Sequence, residues 1–136
     1  MDIWAERDGR GIACDSSTGY LLPNRARRCP DASWTLLSRF RELPEESRNR
    51  FWHLCPDFVI EIRSSTDRTR VLQAKMEEWV ENGAQLGWLI DPETETVTVY
   101  RPGREAEVLT GVDSVTSEGP VAGFALDSRA VWRPLC

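Results

Sequence analysis

The run Pro56-Asp57-Phe58-Val59-Ile60-Glu61-Ile62-Arg63 alternates, and the alternation predicts a strand. Phe58, Ile60 and Ile62 point one way; Asp57, Val59, Glu61 and Arg63 point the other. Behind it, Val71, Leu72, Met76, Trp79 and Val80 recur at helical spacing and predict a helix from about Asp67 to Asn82. Asp67 suits its N-cap and Gly83 its C-terminal stop. Leu86 to Ile90 then reads as a buried strand and Thr96 to Arg101 as an alternating one, joined by the turn Asp91-Pro92-Glu93-Thr94. Upstream, Ile12 to Cys14 and Tyr20 to Leu22 form two short strands around the turn-prone run from Asp15 to Gly19. Arg25 to Arg28 is a basic connector, and a strand opened by Pro30 runs on from Cys29 to Leu37. Leu43 to Trp52, with Pro44 and two glutamates at its start, predicts a short helix. Residues 1–10 are polar apart from Trp4 and read as a weak edge or a frayed start. Val108-Leu109 and Ala130 to Trp132 are weaker strand candidates. The order of elements predicts a mixed α/β fold with a helix packed on one sheet.

At 136 residues the chain suits a single domain, 1–136, with a sizeable core. No apolar run approaches the roughly 18 residues of a membrane span, and Met-Asp-Ile-Trp opens no signal peptide. Cys14, Cys29, Cys55 and Cys136 form no CxxC pair, so zinc and a disulfide framework are not indicated and free thiols in the cytoplasm are expected. His53 is the only histidine, which excludes a multi-His metal site. The net charge of −5 argues against strong nonspecific binding to nucleic acid. The charge is uneven, however: residues 1–75 carry 13 basic and 11 acidic side chains, and residues 76–136 carry 4 and 11. Phosphate contacts are therefore expected in the first half, around Arg25, Arg27, Arg28, Arg39, Arg41, Arg48 and Arg50.

Lys75 is the only lysine among 17 basic residues. An ammonium is a compact point charge, unlike the broad guanidinium, and phosphoryl-transfer sites use such a charge beside metal-bound carboxylates. Lys75 lies four residues after Val71 and four before Trp79, on or beside the buried stripe, where it must be paired or snorkel. Glu61 sits inside a hydrophobic strand, where a carboxylate is costly unless paired, hydrogen-bonded or bound to metal. Asp31 and Asp57 each follow a proline at a strand head. Carboxylates converging from neighbouring strands beside a cation would suit Mg²⁺, which takes one or two carboxylates and keeps several waters. A plain Glu61–Arg63 or Glu61–Lys75 ion pair tying helix to sheet explains the same spacing equally well, and for Asp57 ordinary turn chemistry is the simpler account. The tryptophans other than Trp4 read most simply as core or interface.

Pro30-Asp31-Ala32-Ser33-Trp34, the run from Pro56 to Asp67, Lys75-Met76, the run from Asn82 to Pro92, and Val99-Tyr100-Arg101-Pro102 together resemble the Uma family of restriction endonucleases. That family belongs to the PD-(D/E)xK nuclease superfamily, and the resemblance runs from about Gly11 to Trp132. It implies a restriction-endonuclease-like mixed sheet flanked by helices, and Mg²⁺-dependent hydrolysis of DNA phosphodiesters. It also implies that Asp31 and Glu61 bind the metal and that Lys75 stabilises charge while water attacks phosphorus in line. Arg63 stands where the superfamily usually has its lysine, a role that passes to Lys75. Ser64 and Asp67 match a family motif without an assigned task. Relatives carry a longer N-terminal segment, so the N-terminal helices are expected to be missing here. Two rival readings follow: a truncated, catalytically inactive relative that keeps the fold, and a binding or assembly module. In the second, a homodimer partner would cover the exposed sheet face.

Overall fold

The computed structural model describes residues 1–45 and 51–132. Six strands form the main sheet: β1 (Gly11–Asp15), β4 (Ala32–Leu36), β6 (Phe58–Ile62), β7 (Leu86–Asp91), β8 (Thr96–Tyr100) and β9 (Glu107–Thr110), adjacent in that order. All neighbours are antiparallel except β6 and β7, which run parallel and are joined by the helix α3 (Thr69–Glu81). A parallel pair needs such a crossover. Two strands predicted around one turn part company. The first is β1, at the edge of the main sheet, whereas β2 (Gly19–Leu21) pairs with β3 (Arg27–Arg28) and β5 (Phe51–Trp52) in a small separate sheet.

Alternation along β6 divides the interior. Phe58 and Ile60 enter one cluster with Trp34, Trp88, Ile90, Val97 and Phe124, while Val59 enters the other with Tyr20, Leu72, Met76, Trp79 and Leu89. The second face is covered by α3. The first is covered by α1 (Asp2–Asp8) and by the C-terminal segment with β10 (Ser114–Thr116), a 3-10 turn at Gly119–Val121 and β11 (Ala125–Asp127). Gly87 on β7 allows α3 to dock closely: a Cβ there would stand 2.7 Å from Met76 Cε and 3.3 Å from Val59 Cγ2. Among the described residues, no helix is long and apolar enough to cross a membrane.

Several predicted elements are corrected. The start of the chain is the helix α1, closed by Gly9 in the left-handed conformation, with Trp4 against Trp34 and Phe124. The strand from Cys29 narrows to Ala32–Leu36, and the chain then turns at once into α2 (Leu37–Arg41). The reason is local: Asp57 accepts the Leu36 N–H and also pairs with Arg39, which draws the chain out of the ladder. Half of the helix predicted over Leu43–Trp52, residues 46–50, lies outside the described residues, and its far end, Phe51–Trp52, is strand β5. Asp67 does not cap α3. Its carboxylate accepts the backbone N–H and the hydroxyl of Ser64 instead, and Arg68 takes the cap position. Ala130 to Trp132 belong to the helix α4 (Ser128–Trp132), not to a strand.

Candidate active site

The antiparallel register Ala32↔Ile60 between β4 and β6 places Asp31, one step beyond the ladder, opposite Glu61. Pro30 precedes it and has no N–H to extend the pairing. Side chains take over where the ladder stops. Asp31 donates its backbone N–H to Glu61 Oε1 at 3.0 Å, and the backbone N–H of Ile62 donates to Asp31 Oδ2 at 2.6 Å. Each carboxylate is thus held by the backbone beside the other. Charged acceptors make such bonds stronger than neutral ones.

Glu61 is 2% exposed, so its charge needs compensation. Lys75 supplies it, with Nζ 2.9 Å from Glu61 Oε2, and the Trp79 indole N–H reaches the same oxygen at 3.5 Å. Both partners come from α3, where Leu72, Met76 and Trp79 form the buried stripe. Residues four apart share a helix face, so Lys75 and Trp79 address the sheet together. The Lys75 side chain remains 30% exposed, and Asp31 is exposed. A buried carboxylate paired with an ammonium and a second, exposed carboxylate therefore stand on neighbouring residues at the ends of β4 and β6.

The other predicted residues lie elsewhere. Asp57 is at the opposite end of β6, about 13 Å along the strand from Glu61 at 3.3 Å per residue. There it holds Leu36 N–H at 2.9 Å and Arg39 at 2.7 Å, a structural tie. Arg63 does not pair with Glu61; it turns to Glu93 at 2.8 Å and Asp91 at 3.5 Å. The Glu93 hydrogen bond, above all, raises the guanidinium pKa further. His53 is exposed, and Arg48 and Arg50 lie outside the described residues.

The three basic candidates of the connector separate as well. Arg25 occupies a turn with a positive φ of 75°. Arg27 is exposed and stands over the Phe51 ring at 5.6 Å. Arg28 is bound to Glu78 of α3, at 2.6 Å through Nε and 3.3 Å through Nη2. Arg27, Arg28, Val71, Lys75 and Glu78 line one groove of about 520 Å³. Sequence reasoning passed over two residues here. Trp79 reads as core in the sequence, although its spacing from Lys75 marks it as a second partner for Glu61. Glu78 carries no signal in the sequence, because its contact depends on where the β2–β3 hairpin lands.

Among the described residues no group of three or more His, Cys, Asp or Glu side chains could hold a metal ion. A cation at Asp31 and Glu61 would have two protein ligands and complete its shell with water, a habit of Mg²⁺.

The likeness to known proteins follows the same outline. A solved structure described as a putative nuclease belonging to DUF820, from Anabaena variabilis, matches with a TM-score of 0.81 at 25% identity. The match covers 96% of this chain and 73% of that one. No curated protein matches the chain. The family model described as "Uma2: Putative restriction endonuclease" matches residues 1–129, so a mixed sheet whose α3 brings its one lysine to a buried strand glutamate is a restriction-endonuclease-like fold, and the chain belongs to the Uma2 family.

Proposed function

We propose that the chain is a Mg²⁺-dependent endonuclease that hydrolyses DNA phosphodiesters at Asp31, Glu61 and Lys75. The observation that carries this reading is that the Asp31 N–H holds the Glu61 carboxylate, the Ile62 N–H holds the Asp31 carboxylate, and the Lys75 ammonium pairs with Glu61. A helix-to-sheet ion pair would need only Glu61 and Lys75. A second acid, held by the Ile62 N–H and left exposed to solvent, is surplus to that task.

The donor set fits the metal: hard carboxylate oxygens from two adjacent strand ends, with room for water on the exposed side. Asp31 and Glu61 would hold Mg²⁺, which when bound would neutralise phosphodiester charge and lower the pKa of a coordinated water. The protein's own groups do the rest. Hydrogen bonds from the Asp31 and Ile62 amides fix both carboxylates before substrate arrives, so little reorganisation is needed. Lys75 offers positive charge to the phosphoryl oxygens as negative charge builds on them. Arg27 supplies an exposed guanidinium for a neighbouring phosphate along the groove.

The test is nicking of supercoiled plasmid DNA with MgCl₂, against EDTA, by the wild-type chain and by Asp31→Asn, Glu61→Gln and Lys75→Ala. Each variant is expected to lose at least about 100-fold in rate, the scale on which removal of one preorganised transition-state contact acts. Metal-dependent nicking that survives in all three would overturn the assignment. No cleavage by the folded wild-type chain with any divalent cation would favour the inactive relative.

A further inference from the structure

The groove beside Lys75 contains a negative charge where a substrate phosphate would be expected to bind. Glu78 lies three residues after Lys75 on α3, so the two side chains project from one helix face about a turn apart. Its carboxylate takes the Arg28 guanidinium through both oxygens, at 2.6 and 3.3 Å. That forked geometry is the one guanidinium offers to phosphate. Asn24 donates its side-chain N–H to the same carboxylate at 3.2 Å, and Asn24 N–H donates to Asn82 Oδ1 at 3.0 Å. The whole turn of the β2–β3 hairpin is thereby latched onto α3. The pair is only partly buried, with side-chain exposures of 37% for Arg28 and 23% for Glu78, so an incoming anion can reach it.

We propose that Glu78 acts as a built-in phosphate mimic, which occupies Arg28 in the free protein and must yield it to a backbone phosphate when nucleic acid enters the groove. The proposal rests on the nuclease reading above and adds a determinant of affinity to it. Arg27 and Lys75 also line the groove, and it is Arg28 that Glu78 holds in the free protein. Arg28 joins only by exchanging one anion for another. Binding through Arg28 therefore releases no additional counterion while Glu78 remains charged nearby. This also suits a chain with a net charge of −5: the substrate is held loosely until the reacting phosphate meets the Asp31–Glu61–Lys75 centre.

The test measures binding of a fluorescein-labelled 20-base-pair DNA duplex by anisotropy, in EDTA, from about 20 to 200 mM NaCl. Glu78→Gln keeps the length of the side chain and its capacity to accept hydrogen bonds, so the hairpin latch has a neutral substitute. Its affinity should rise by about threefold or more, and the slope of log K against log salt should steepen by about one unit, as for one additional neutralised phosphate. In an Arg28→Ala background the same substitution should give no gain. Unchanged or weaker binding by Glu78→Gln, while the wild type binds, overturns the proposal and leaves the nuclease reading standing. A gain that persists without Arg28 also overturns it, because removal of any nearby negative charge would then suffice. If neither protein binds duplex at the lowest salt, the DNA reading falls together with this one.

Discussion

Glu61 and Lys75 form one ion pair, but the two ends are not equivalent. The Glu61 side chain is 3% exposed and that of Lys75 is 30% exposed. Removing the ammonium leaves a buried carboxylate with two N–H donors and no countercharge. Removing the carboxylate's charge leaves an ammonium that can turn toward water. Lys75→Met should therefore destabilise the fold by about 1–3 kcal/mol, less than the full cost of breaking an entirely buried pair. Glu61→Gln should cost under about 1 kcal/mol, since the amide still accepts the Asp31 N–H. Urea denaturation followed by circular dichroism measures both. Equal losses, or the reverse order, would show that the buried acid does not depend on its lysine. In the proposed reaction both substitutions remove activity alike, so stability and function separate at this pair.

At the level of elements, the distance between α3 and the sheet decides where Lys75 lies, and Gly87 sets that distance. Gly87→Ala places a methyl group 2.7 Å from Met76 Cε and 3.3 Å from Val59 Cγ2, both in a packed interior. The expected loss is about 1–3 kcal/mol, as for other insertions into a full core. Met76→Leu withdraws the terminal methyl and should recover part of it, which a double-mutant cycle by thermal or urea melting would read as favourable coupling. Additive effects would place the strain elsewhere. The same α3–sheet unit is the part of the fold most legible in the sequence, because alternation in β6 and β8 and helical spacing in α3 each extend over several side chains. The helices α1, α2 and α4 have seven, five and five residues. At that length periodicity says little, and packing of Trp4 or pairing of Arg39 with Asp57 decides the conformation. At the site, a buried acid and an isolated lysine mark Glu61 and Lys75. The two Pro-Asp pairs look alike in sequence, yet only Asp31 reaches Glu61. Pro30-Asp31 opens a strand antiparallel to β6 and so stands at its far end, whereas Pro56-Asp57 opens β6 itself.

For the molecule as a whole, Cys55 and Tyr20, two of the titratable groups buried in the cluster beneath α3, limit its tolerance of alkali. Burial is the main cause that pushes the Cys55 thiol from an ordinary 9.0 up to about 12, and it raises the Tyr20 phenol as well, against the hydrogen bond that Tyr20 shares with Ser33. In both, the folded chain keeps a proton that the unfolded chain releases. Between about pH 9 and 12 the folded state thus binds more protons, and stability falls as pH rises, by up to about 1.4 kcal/mol per pH unit for each group. Well below pH 9, where both groups stay protonated in either state, neither contributes a slope. The Cys55 share can be isolated with Cys55→Ala, which deletes the titration and leaves a small cavity beside the Trp79 carbonyl that accepts the thiol. At pH 8 the variant should be the less stable protein. As pH climbs through 9 and beyond, the wild type loses the advantage of its protonated thiol while the variant has none to lose, so the two stabilities converge. Urea melts at pH 8, 9.5 and 10.5 would follow the gap directly. A constant gap across that range would mean that Cys55 ionises as easily in the folded chain as in the unfolded one, and that the cluster beneath α3 admits water.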